Sequence, residues 1–180
     1  MASDRLETPV RLAGAGLSLR PMVDADRPFL EHLYRLVRWD EFAPTGWPDA
    51  TKTAFLAQQF DFQRRQYEQA YPGAEFHVIA HGPEPIGRIY VDRTGRDLGL
   101  IEISLLPEWR GRGIGAALLE HLQREVEAGL RDRVSLQVTP ENPARRLYQR
   151  MGFVEKPPAS EFQEASIEMV WPPSALGDGV

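Results

Sequence analysis

The residues that point most clearly to a chemical function are three glycines and two arginines in a short turn. The turn and the first residues after it read Arg110, Gly111, Arg112, Gly113, Ile114, Gly115 and Ala116. Glycine lets backbone amides approach a ligand closely. Amides at a helix start, the helix dipole and two guanidinium groups together favour an anion. We therefore expect the amides of residues 110–116 to bind a phosphorylated ligand.

The same turn satisfies the dinucleotide pattern G-x-G-x-x-G/A, so its context must decide between two ligand classes. A dinucleotide turn follows a first strand, begins a series of βα units and has an acidic residue about 20 positions later at a strand end. Here the turn follows several predicted strands, and Asp132 precedes its strand instead of ending one. The context argues against a dinucleotide.

The elements that must position this turn follow from periodicity and turn signals. Strands are predicted at 17–20, 75–80, 85–92, 98–106, 134–138 and 164–171. Helices are predicted at 24–39, 49–71, 113–128 and 143–151, with a loop at 40–48. Short connections make the middle strands an antiparallel meander, and a right-handed crossover makes the strands at Leu98 and Val134 parallel neighbours. The predicted fold class is α+β, with a mixed, mostly antiparallel sheet and helices on both faces.

Length and composition limit the number of domains and the kinds of partner and cofactor that we expect. The 180 residues favour one domain over 1–171, followed by a disordered tail at 172–180. A net charge of −5 disfavours a nucleic-acid partner, and the absence of cysteine excludes a disulfide or a cysteine acyl-enzyme. No stretch resembles a membrane span or export signal, which predicts a cytoplasmic protein. His77 and His81 share a strand face without a third ligand, so we expect no metal.

Two blocks of sequence resemble the GNAT superfamily of N-acetyltransferases. The turn from Arg110 to Gly115 is similar to the family signature Q/R-x-x-G-x-G/A after the fourth strand. Residues 142–153 are similar to its N-x-x-A-x-x-L-Y-x-x-x-G-F region, although Asn142 lies six residues before Tyr148 where seven is commoner. The resemblance implies a three-layer GNAT-like fold.

The resemblance also implies the reaction and its cofactor. The chain would transfer acetyl from acetyl-CoA to an amine, with the pyrophosphate on the amides of 110–115 and the pantetheine arm along the strand near Leu105 and Leu106. Asn142 and Arg145, in the second block, are further candidate cofactor contacts. Tyr148 would protonate or hydrogen-bond the departing thiolate, and the alternative is a core tyrosine that packs beneath the cofactor.

Acetyl transfer to an amine needs a group near the acceptor that can accept a proton, and a carboxylate can do so. A thioester is already activated, so the enzyme must mainly hold a neutral amine against the carbonyl and accept the ammonium proton. Glu102 is the only carboxylate between Leu98 and Leu106, and a charge in an apolar strand is costly unless it faces a cleft. We predict it as general base or substrate-binding carboxylate, the alternative being an exposed strand residue.

Two other functions use the same features. A non-catalytic coenzyme A sensor or interaction module would keep the fold. A protein N-terminal or lysine acetyltransferase would replace a closed pocket with an open groove. The acceptor, whether a small-molecule or peptide amine, and the oligomeric state, including a homodimer, are left open by the sequence.

Overall fold

The computed structural model describes residues 5–157 and 166–172. The helices in this part of the chain are α1 (Val10–Ala13), α2 (Arg27–Arg38), α3 (Asp49–Ala70), α4 (Ile114–Glu127) and α5 (Ala144–Arg150). The strands are β1 (Leu17–Pro21), β2 (Glu75–His81), β3 (Glu84–Asp92), β4 (Asp97–Leu105), β5 (Arg133–Val138), β6 (Val154–Glu155) and β7 (Ile167–Trp171). None of the described helices has the length and hydropathy of a membrane-spanning segment.

The strands form one mixed sheet in the order β1-β2-β3-β4-β5-β7-β6. Strands β2 to β4 are an antiparallel meander, as their short connections predict, and β1 pairs antiparallel with β2 after a long connection through α2 and α3. The chain then crosses over through α4, and β5 lies parallel to β4. The predicted parallel pairing of the Leu98 and Val134 strands is confirmed, with these two residues directly opposite each other.

Helices cover both faces of the sheet, which confirms the predicted arrangement. On one face the apolar stripe of α4, including Leu118 and Leu122, packs on β-strand residues together with α1 and α5. On the other face Leu30 of α2 and Phe60 of α3 pack against Val78 of β2. The sheet is therefore the middle of three layers, and its two faces contact different helices.

Three short elements depart from the predictions. The loop predicted at 40–48 contains a 3-10 helix at Trp39–Thr45, which Gly46 ends with φ of 65°. The 3-10 geometry admits Pro44 where a longer α-helix would lose a hydrogen bond. Helix α1 and strand β6 were not predicted because four and two residues carry too little periodicity. The predicted tail lies almost entirely outside the described residues.

A buried ionic network joins the sheet to α4. Arg93 is 7% exposed and donates to both carboxylate oxygens of Glu125, at 2.7 and 2.8 Å. Its Nε lies 3.0 Å from Oε1 of Glu75, whose Oε2 accepts a hydrogen bond from the amide of Leu6. His77 is buried beside this network, and its Nδ1 has no partner among the described residues. The network fixes the end of α4 that is far from the glycine turn.

His77 makes stability pH-dependent. Burial lowers the pKa of His77, and burial lowers that of nearby His121 in the same way. Above about pH 6.5 both histidines are neutral in the folded and the unfolded chain. Below it the unfolded chain takes up protons first, so the free energy of unfolding falls as pH falls.

We expect Tm to be roughly 2–5 °C lower at pH 5.5 than at pH 7.5. His77→Met should reduce this difference, whereas replacing the exposed His32 by Gln should leave it unchanged. Carboxylates paired in the fold, such as Asp26 with its lowered pKa, lose their contribution only at lower pH. Equal pH dependence in wild type and His77→Met, measured by thermal melts, would assign the effect to other groups.

Candidate active site

A gap opens between β4 and β5 at the centre of the sheet. The two strands pair only from Asp97 to Leu100, opposite Arg133 to Leu136. The β3–β4 register shifts at the same point, so that Ile101 is an extra residue in β4. Such a bulge bends a strand and frees its backbone groups. The edge of β4 after Leu100 is therefore not paired with β5.

The glycine turn lies after β4 and begins α4. Gly111 and Gly113 have φ of 71° and 79°, the left-handed region that other residues rarely adopt. The first hydrogen bond of α4 runs from the amide of Ala117 to the carbonyl of Gly113, so the amides of residues 114–116 precede it. A Cβ on Gly111 would meet no atom within 4 Å. Open space beside free amides fits a pyrophosphate.

The predicted arginines of the turn are exposed and held at its rim. Arg110 Nε donates to the carbonyl of Leu105 at 3.0 Å, and the amide of Leu106 donates to Ile86 at 2.9 Å. The guanidinium of Arg112 lies 4.7 Å from the ring centre of Trp109. Both cations thus lie beside the turn, and Leu105 and Leu106 connect β4 to it.

The structure adds Arg11, which the sequence did not single out. Its Nη2 lies 3.6 Å from the position that a Cβ on Gly113 would occupy. Arg11 forms a long ion pair with Glu120, at 3.8 Å, and its side chain is 66% exposed. Arg11 belongs to α1, an element too short to predict, and it is distant in sequence from the turn. No local signal could have found it.

The second predicted block holds α5 against α4. A Cβ on Gly115 would lie 3.0 Å from Cδ2 of Leu147, so the two helices approach as closely as glycine allows. Asn142 accepts a hydrogen bond from the amide of Ala144 at 2.9 Å, which stabilises the start of α5. Arg145 pairs with Glu155 of β6. Asn142 and Arg145 therefore engage residues of their own region.

Tyr148 lies in the core on the face of the sheet that α4 covers. It is 8% exposed and its ring centre is 6.0 Å from that of Phe153. Burial raises the pKa of Tyr148 to about 12, with a further contribution from the negative charge of Glu102. The phenol is therefore protonated at neutral pH and can act as a proton donor.

Glu102 is held on the α3 face of β4 and is only 17% exposed. Its Oε1 accepts from Arg88 Nε and Nη2, at 2.9 and 2.6 Å, and from Ser104 Oγ at 2.6 Å. Its Oε2 is buried and has no partner among the described residues. The alternative of an exposed strand residue is therefore wrong, because the β3–β4 pairing brings Arg88 against it.

Arg88 and Ser104 were missed by the sequence analysis. Arg88 is the only cation in β3, just as Glu102 is the only anion of β4 after Asp97 at its start. The cost argument that singled out Glu102 applies equally to Arg88. Pairing the two required the register of the hairpin, which places Arg88 opposite Ser104 and next to Glu102.

Comparison with known proteins agrees with this geometry. Residues 72–155 match a family model described as an acetyltransferase (GNAT) domain. These residues therefore form a GNAT domain. The match spans β2 to β6 and so contains the meander, the glycine turn and α5. The predicted superfamily is thus confirmed over these residues, and the matched family is one of acyltransferases.

Solved structures extend the likeness beyond the matched residues. The PaiA N-acetyltransferase of Thermoplasma acidophilum, in complex with coenzyme A, is 16% identical with a TM-score of 0.62, over 86% of this chain and 97% of that one. An acetyltransferase of Thermus thermophilus is 22% identical with a TM-score of 0.57, over 86% and 95%. A spermidine N-acetyltransferase SpeG chimera from Vibrio cholerae is 21% identical with a TM-score of 0.57, over 86% and 94%. At these identities the structures show the GNAT fold alone.

Proposed function

We propose that this GNAT protein transfers an acetyl group from acetyl-CoA to an amine of a small molecule or peptide. One observation carries the proposal: β4 stops pairing with β5 after Leu100 and leads into the glycine turn, while Tyr148 packs in the core with α4 and Glu102 is held on the α3 face of β4. The glycine amides would hold the pyrophosphate, and the unpaired edge of β4 would pair with the pantetheine arm. This arrangement favours catalysis over a coenzyme A sensor, which needs neither side chain.

The residues divide the chemistry between them. Acetyl-CoA supplies an activated thioester, so the protein's task is positioning and proton transfer. Oε2 of Glu102, directly or through a water, receives a proton of the acceptor's ammonium and leaves a neutral amine. The amine nitrogen forms the new C–N bond as the C–S bond breaks. Tyr148 donates its phenolic proton to the departing sulfur. The acylated nitrogen then loses its second proton, through water, to the Tyr148 phenolate, so that the amide, the coenzyme A thiol and the phenol are all restored to neutral form.

The groove beside the gap favours a cationic acceptor. A groove of about 520 Å³ lies over β4 and β5, next to the end of α3. The carboxylates of Asp92, Asp97 and Glu168 line it together with Tyr67 and Tyr71, and its described lining contains no lysine, arginine or histidine. Carboxylates and aromatic rings both attract ammonium groups. A small amine that carries a second positive charge therefore suits the groove.

An amine panel tests the function directly. Release of free coenzyme A from acetyl-CoA should be measured with a polyamine, an aromatic monoamine and a lysine-containing peptide, with mass spectrometry of the products. We expect amine-dependent release, highest for the amine with two or more charges. Binding of acetyl-CoA without amine-dependent release across a broad panel would favour the sensor. Preference for the peptide would favour protein acetylation.

Glu102→Gln tests the proton acceptor. The variant keeps the shape and removes the base, so we expect kcat/KM for the amine to fall by about 100-fold at pH 7. Turnover should partly recover as pH rises toward the pKa of the amine, where neutral amine becomes abundant. A pair of pH–rate profiles, for wild type and variant, measures both effects.

The chain offers a closely matched control. Glu75 has the same side-chain exposure within a percentage point, 18%, and also lies next to a buried arginine, Arg93. Glu75→Gln should lower stability without changing the pH–rate profile. Superimposable profiles for wild type and Glu102→Gln would remove Glu102 as base, and a raised acceptor KM with intact kcat would leave it a binding role only.

A further inference from the structure

Arg88 is the most deeply buried charged residue in the described part of the chain. It is 2% exposed and lies in the middle of the apolar strand β3. A buried ion pair adds little net stability, because removing two charges from water offsets their attraction. The pair of Arg88 with Glu102 therefore calls for a reason other than stability.

The geometry of the pair is one-sided. Both Nε and Nη2 of Arg88 donate to the same oxygen, Oε1 of Glu102. Arg93 offers a contrast, since it donates one hydrogen bond to each carboxylate oxygen of Glu125. In the Arg88 pair Oε2 is left buried without a partner in the described residues. A carboxylate oxygen in that state is available to a ligand or a water.

Arg88 cannot turn to follow the second oxygen. Its Nη2 also donates to Gln63 at 3.2 Å, and its Nη1 donates to the hydroxyl of Tyr90 at 3.4 Å. The guanidinium also lies 5.1 Å from the ring centre of Tyr90 and 5.9 Å from that of Tyr34. Contacts from α2, α3 and β3 thus fix the cation, and through it the carboxylate.

We propose that Arg88 is a positioning residue that, with Ser104, holds Oε1 of Glu102 so that Oε2 is presented to the ammonium group of the acceptor. This inference rests on the proposed function. Glu102 follows Leu100, the last residue of β4 that pairs with β5, and Ile101, which lines the groove, so it lies on the unpaired part of β4 next to the groove. Arg88 acts only through Glu102 and does not touch the acceptor.

Steady-state kinetics with acetyl-CoA and the best amine of the panel test the assignment. Arg88→Lys keeps the charge but loses the fork, so we expect kcat/KM for the amine to fall by about 10-fold while KM for acetyl-CoA stays unchanged. Ser104→Ala, a smaller change, should lower the same constant by about 3-fold. Arg93→Lys is the matched control, and it should change Tm without changing either constant.

A double-variant cycle distinguishes positioning from packing. If Arg88 acts through Glu102, Arg88→Lys should have no further effect on kcat/KM in a Glu102→Gln background. Equal effects in both backgrounds, or an acceptor kcat/KM unchanged in both Arg88→Lys and Ser104→Ala, would overturn the assignment. If Arg88→Lys does not fold, the Ser104→Ala comparison in the same two backgrounds decides. Absence of amine-dependent turnover by wild type would instead overturn the proposed function, and this inference with it.

Discussion

Replacing Tyr148 by phenylalanine should lower kcat by roughly 10- to 10⁴-fold while the affinity for coenzyme A stays nearly unchanged. The phenol has a pKa of about 12, so it carries its proton throughout the neutral range and can deliver it to the departing sulfur. The phenylalanine ring would still pack on Phe153, 6.0 Å between ring centres, so the core should survive. Initial rates and isothermal titration with coenzyme A measure the two quantities.

Tyr34→Phe is the control for loss of a buried hydroxyl. Tyr34 is 3% exposed, lies in the α2 layer and accepts a hydrogen bond from Arg38. This variant should change stability slightly and kcat not at all. Parallel losses of coenzyme A affinity and turnover in Tyr148→Phe would assign Tyr148 to packing beneath the cofactor.

The second large effect concerns the glycine turn. Acetyl-CoA at about 100 times its dissociation constant should raise the free energy of unfolding by about 2.7 kcal/mol, and NAD should not. Gly113→Asp places a carboxylate where the pyrophosphate is expected, so the thermal shift should vanish. Differential scanning fluorimetry with each ligand measures it.

A second glycine with a positive φ serves as a control that distinguishes loss of acetyl-CoA binding from backbone strain. Gly113 has φ of 79°, so any side chain there strains the backbone. Gly129, at the other end of α4, has φ of 72° and open space around it. Gly129→Asp should lower Tm by a similar amount and keep the full acetyl-CoA shift. A shift retained in Gly113→Asp would remove the pyrophosphate from this turn.

The sequence predicted the parts of the molecule that depend on local patterns. The meander, the crossover and the start of α4 follow from alternation, short connections and a glycine-rich turn, and each is confirmed in position to within a few residues. Glu102 was identified by the cost of a charge in an apolar strand. Tyr148 was identified by the family resemblance, and both roles stay predictions.

The remainder depends on pairing over long sequence distances. The register between β3 and β4 determines which carboxylate oxygen of Glu102 is left without a partner. That register shifts at a bulge that no residue type in the sequence indicates. Arg11 reaches the glycine turn from a four-residue helix about a hundred positions earlier. The splitting of β4 from β5 after Leu100 is likewise a property of the twisted sheet and not of either strand alone.

The close approach of Gly115 to Leu147 limits how near α4 and α5 can lie to each other. Because Leu147 Cδ2 lies 3.0 Å from the place of a Cβ on Gly115, the distance between the two helices is set by atoms in contact. Leu147 is followed at once by Tyr148, so the same contact sets how far the phenol lies from the turn. One methyl group at position 115 would lie 3.0 Å from Leu147 Cδ2, so the leucine side chain or α5 itself would have to move by a few tenths of an ångström.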